Sequence, residues 1–123
     1  MISAVELRKF QADFNKERFI NACNKYYNNL MEECKLAIEH IQNNNMTHII
    51  LNTSKLTRAT DGYSYTTMLF GFWDKQTASF NTSVFREYNI LSPLERATYD
   101  LEIFGYKLEH INVPMRLVLK LSF

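Results

Sequence analysis

Residues 16–42 read KERFINACNKYYNNLMEECKLAIEHIQ. Phe19, Cys23, Tyr26, Leu30, Cys34, Ala37 and Ile41 recur at steps of three and four. Lys16, Arg18, Asn24, Asn28, Glu32, Lys35 and Glu39 fill the other face. This is the period of an amphipathic helix, and Asn43-Asn44-Asn45 closes it. At 1.5 Å per residue such a helix is ~40 Å long, while a domain of this size is only about 35 Å wide. The helix therefore spans or overhangs its own body. Tyr26 and Leu30 lie mid-helix and either support association with a second copy or a partner or, in the reading favoured slightly, pack where the helix lies across its own sheet.

Upstream, Ser3 stands three residues before Glu6, the spacing of a capping box. Leu7, Phe10 and Phe14 follow at helical spacing, which predicts a separate short helix over 4–13, with Asn15 capping the next one. Downstream, His48-Ile49-Ile50-Leu51 predicts a strand over 47–53. A polar loop, 53–62, leads to Tyr63–Trp73, whose alternation predicts a strand. Asp74-Lys75-Gln76 turns the chain into a return strand over 78–84. Ser92-Pro93-Leu94-Glu95 is a strong helix start, and Leu94, Ala97, Leu101, Phe104, Leu108 and Ile111 extend that helix to 111. The alternation of Tyr99, Leu101 and Ile103, with Gly105 as a bulge, is the rival strand reading. Leu117, Leu119, Leu121 and Phe123 predict a last strand. The expected fold is α+β in the order α-α-β-β-β-α-β, one domain over 1–123, with about four strands in an antiparallel-rich sheet and helices on one face.

The chain has 123 residues, 14 Lys+Arg against 13 Asp+Glu, and 46 % hydrophobic residues. That balance excludes an acidic nucleic-acid mimic, a basic nucleic-acid coat and a disordered chain. The N-terminal stretch, broken by Glu6, Arg8 and Lys9, does not read as a signal peptide. No run approaches the ~18 apolar residues of a membrane span, so no membrane association is expected. Cys23 and Cys34, about 16 Å apart along one helical face, suit buried thiols in a reducing, cytoplasmic setting. Asn occurs at 12 positions, a bias of AT-rich coding that points to a phage, a virus or a low-GC bacterium; a viral protein would work in its host's cytoplasm.

The three His and two Cys match no zinc spacing, so no metal and no cofactor are expected. There is no GxSxG elbow, no His-x-Ser/Thr pair and no phosphate-binding glycine loop, which points away from an enzyme. Two surfaces remain. Lys55 and Arg58, with Tyr63 and Tyr65 following and Arg86 at the end of the return strand, suit an anionic ligand such as a nucleotide or single-stranded nucleic acid. Phe70, Phe72 and Trp73 exceed what one sheet face must bury and suit a protein interface. The leading expectation is a non-enzymatic protein that binds another protein or itself; the anion-binding module is the alternative.

Overall fold

A computed structural model describes all 123 residues as an α+β arrangement. The order is α1 (Ala4–Asn44), β1 (His48–Ile50), α2 (Tyr65–Phe70), β2 (Phe72–Asp74), β3 (Ser79–Asn81), α3 (Ser83–Glu87), α4 (Pro93–Glu102), β4 (Lys107–Val113) and β5 (Arg116–Ser122). The strands form two antiparallel sheets. One has the order β1-β5-β4 and the other is the β2-β3 ribbon. The expected single sheet of about four strands is thus divided into three plus two.

The N-terminal 41 residues of helix are continuous. Ser3 accepts the Glu6 N–H at 3.1 Å, as the capping box requires. Asn15 does not start a second helix. No Pro or Gly occurs between Ser3 and Asn45, and one interior Asn costs under about 0.7 kcal/mol relative to Ala, less than nucleating a new helix. The helix ends at Asn45, which takes φ 51° while the Met46 N–H returns to the Ile41 carbonyl at 3.2 Å.

The buried residues of α1 begin only at Phe19 and continue through Ala22, Cys23, Tyr26, Leu30, Cys34, Ala37 and Ile41. They join Leu51, Leu56, Met68, Leu69, Phe85, Ala97, Leu101, Leu108 and the Leu117, Leu119 and Leu121 face of β5 in one core cluster. α4 and the sheet pack on this half of α1. The sheet's other face carries Ile50, Ile111 and Val118 among Lys107, Glu109 and Lys120, and not the Phe-rich surface expected of it.

Three further elements depart from the alternation read in the sequence. Tyr63–Trp73 is not one strand. Ser64 accepts the Thr67 N–H at 3.3 Å and caps α2, whose neighbouring Met68 and Leu69 are both buried, which strand geometry forbids on one covered face. Gly71 at φ 89° and ψ −168° then redirects the chain into β2. The return strand is also shorter than 78–84. β3 pairs Phe80 with Trp73, and Asn81 accepts the Ser83 N–H at 2.9 Å to open α3. Lastly, α4 stops at Glu102 rather than 111. Gly105 takes φ 84°, its N–H bonds the Glu102 carbonyl, and the Tyr106 N–H returns to the Leu101 carbonyl. This glycine-terminated cap releases Lys107–Val113 as β4, so Leu108 and Ile111 belong to a strand. The start of α4 is as expected, with Ser92 accepting the Glu95 N–H at 3.2 Å and Pro93 in the first turn.

Candidate interaction surfaces

The first four turns of α1 bury nothing in the core, and only Lys16 and Arg18 at their base reach the body. Every residue from Met1 to Arg18 is exposed, including Phe10 at 72 % and Phe14 at 64 %. At 100° per residue, Leu7, Phe10 and Phe14 share one stripe, about 150° around the helix from the face that Phe19, Tyr26 and Leu30 bury. The stalk thus points its apolar side away from the body. At its base, Phe14, Glu17, Arg18, Asn21 and Lys25 line a groove closed on one side by Asp61. The groove wall is fixed: Lys25 pairs with the Asp61 carboxylate at 3.0 Å and Arg18 donates to the Asp61 carbonyl at 2.8 Å.

A second exposed apolar group lies on the β2-β3 ribbon. Trp73 meets Phe80 at 5.0 Å and is 53 % exposed; Phe70, half-buried, meets Phe80 at 5.7 Å and His110 at 5.1 Å. Phe72 is partly exposed yet also reaches the core, 5.7 Å from Phe19. The third group is at the far end of α1, where Phe104 and Phe123 flank a hollow floored by Ile38 and Ile41. The sequence signalled the ribbon aromatics as a surface; it showed the spacing of Leu7, Phe10 and Phe14 but not that they face outward. It gave no sign of the third group, because Phe104 was read as the buried face of a longer helix. The outer edge of β4 has no backbone partner, and the Lys107–Glu109 ion pair at 3.6 Å guards it.

Tyr26 and Leu30 are removed from any interface. Tyr26 is 1 % exposed and Leu30 fully buried, and the Tyr26 hydroxyl donates to the Leu56 carbonyl at 2.8 Å. Of the two residues expected at mid-helix to meet a partner, Tyr26 instead fastens the 53–61 loop to α1 and Leu30 lies in the core.

The residues expected to hold an anion are dispersed in their roles. Lys55 and Arg58 are exposed on either side of the buried Leu56. Tyr63 is engaged within the fold, edge-on to Phe19 at 5.4 Å and beneath the Arg18 guanidinium at 5.2 Å. Tyr65 is half-buried in the first turn of α2. Arg86 lines a cavity of about 460 Å³ with Thr82, Asn89, Ser92 and Glu95, and no residue of 53–65 reaches that cavity.

One polar cluster joins α1 to α4. The Tyr27 hydroxyl donates to the Asp100 carboxylate, Arg96 stacks 3.8 Å over the Tyr27 ring, and Arg96 donates to Asn24 at 3.1 Å. Cys23 lines the adjoining cavity. The chemistry of this cluster is that of a latch. Burial pushes the Cys23 thiol up to about 12, and burial followed by the Asp100 carboxylate raises Tyr27, so neither group is a ready nucleophile. Burial, followed by Glu33, raises Cys34 likewise to about 12. No group of three or more metal-ligating side chains converges anywhere, and no helix is long and apolar enough to cross a membrane. No family model, curated protein or solved structure matches this chain.

Proposed function

We propose that this chain is a non-enzymatic association protein, which acts by burying the apolar stripe of its projecting helix against another protein surface. One observation carries the reading. Residues 4–18 hold a helix that their own fold does not cover, with two Phe rings facing water. A helix of this length is marginal in water, and Phe is a mediocre helix former. Covering the stripe supplies the apolar burial that the isolated stalk lacks. The exposed Trp73 and Phe80 on the ribbon extend the same argument to a second contact.

The test is sedimentation velocity of the purified chain across a wide concentration range, and in extract of the cells that make it. The expected result is a species heavier than the 14.6 kDa monomer in at least one setting, lost in the double variant Phe10→Glu, Phe14→Glu. A strict monomer in both settings, or a complex indifferent to both substitutions, removes the reading.

A further inference from the structure

We infer that the stalk pairs with the stalk of a second copy of this chain, in parallel, through Leu7, Phe10 and Phe14. The inference rests on the association reading above and names its partner. Leu7 and Phe14 are one heptad apart with Phe10 between them, the a-d-a spacing of a coiled-coil seam. Asn21 occupies the next position of the Leu7–Phe14 series, where a single Asn is tolerated and favours a paired, in-register arrangement.

The charges beside the seam choose the orientation. One flank carries Glu6 and Asp13, and the other carries Gln11, Arg18 and Lys25. In a parallel pair each acidic flank meets the partner's basic flank, and Asp13 comes opposite the partner's Arg18. An antiparallel pair sets Glu6 and Asp13 against the same acids of the second copy, which repel. Asp13 has no ion-pair partner within its own chain. The Arg18 nitrogen that donates to the Asp61 carbonyl uses one of five N–H groups, leaving others for the acid. The core packs on the far side of α1, and of the body only the loop at Asp61 reaches the seam's basic flank, where it holds Arg18 and Lys25.

The strength follows from the area. At the exposures of Phe10, Phe14 and Leu7, the seam offers roughly 300–400 Å² per copy, about half of a standard interface when doubled. Glu17 also faces its own copy across the axis. The dimer is therefore weak and reversible.

Cysteine cross-linking of the full chain reads the orientation directly, because Cys23 and Cys34 are buried with thiols raised to about 12 and do not compete. Asn21→Cys places the introduced thiol on the seam, and Ala12→Cys places it on the opposite side of the helix. Mild oxidation is expected to give a disulfide-linked dimer for Asn21→Cys alone, abolished by Phe10→Glu with Phe14→Glu. An antiparallel pair centred on the same seam separates the two Asn21 positions by about 30 Å and gives no such link. Glu17→Leu is expected to tighten the dimer several-fold in sedimentation equilibrium. A chain that stays monomeric alone while forming a stalk-dependent complex in cell extract overturns self-pairing and leaves the association reading standing. Self-association without the Asn21→Cys link overturns the parallel seam.

Discussion

Gly71 and Gly105 share nearly the same φ, 89° and 84°, but not the same surroundings, and replacing each by Ala separates backbone strain from steric collision. A Cβ on Gly71 would lie 2.0 Å from the Asn81 carbonyl oxygen and 2.7 Å from its carbon, whereas a Cβ on Gly105 meets nothing within 4 Å. At Gly105 the loss is left-handed strain alone, about 1 kcal/mol. At Gly71 the conformation, with ψ −168°, is one that only glycine adopts readily, at about 1–3 kcal/mol for any other residue. Collision adds to it. Asn81 is backbone, so the ribbon must move away from the end of α2. Moving it breaks the Phe72–Phe19 and Phe70–Phe80 ring contacts, each worth about 0.5–1.5 kcal/mol beyond area. Gly71→Ala should therefore cost roughly 3–5 kcal/mol, a fall in Tm of about 10–30 °C for a domain of this size, against about 3–6 °C for Gly105→Ala. Urea unfolding followed in parallel by far-ultraviolet circular dichroism and by fluorescence gives both numbers. The only Trp, Trp73, sits on the ribbon and reports its detachment as a red-shifted native baseline in Gly71→Ala alone. Equal losses for the two variants, or an unshifted Trp73 baseline in Gly71→Ala, would refute the reasoning.

Tyr26→Phe removes the hydroxyl that satisfies the Leu56 carbonyl and should cost about 1–3 kcal/mol in urea unfolding, with faster amide exchange over 53–61; an unchanged midpoint contradicts this. Cys23 and Cys34 hold their protons up to about 12 when folded but ionise near 9.0 when unfolded, so their stabilisation is complete below pH 9 and is lost as pH rises from there towards 12. Two such thiols weaken the fold by roughly 2–3 kcal/mol between pH 8 and pH 10, measured by urea titration at both values, and neither should react with a disulfide reagent until the chain unfolds. Met115 takes φ 60° in the turn between β4 and β5 and is fully exposed, so Met115→Gly should raise stability by about 0.5–1 kcal/mol in thermal melts.

What the sequence disclosed depended on length of signal. The α1 pattern runs through seven matched positions from Phe19 to Ile41, and the buried face is the one those positions define. The caps at Ser3 and Ser92 were equally legible, because a side-chain oxygen three residues before a Glu is local chemistry. Short segments were not. Six residues at Tyr65–Phe70 satisfy a strand and a helix template alike, and the choice is made by Ser64 as a cap and by Gly71, whose role depends on Asn81 arriving from elsewhere in the chain. The same holds at Gly105: two backbone bonds to Leu101 and Glu102 end the helix, and the three-four spacing of Leu108 and Ile111 beyond it is coincidence.

The surfaces divide along the same line. Phe10 and Phe14 are visible as a stripe of a small separate helix, but apolar residues at helical spacing do not say which way the body lies. Only the continuity of α1 through Asn15 fixes their azimuth relative to Phe19, and that sets the stripe facing outward. Tyr26 and Leu30 underwent the reverse change, from expected surface to core, since the residues that cover them, Leu56 among them, lie in a loop whose path no pattern specifies. The overhang is not the one the length arithmetic expected: residues 19–41 lie along their own core, and the exposed end is 4–18, joined to them because α1 continues through Asn15. In this chain the uncovered end carries Leu7, Phe10 and Phe14 among its charges, three apolar side chains that the core built by α1, α4 and β5 does not reach.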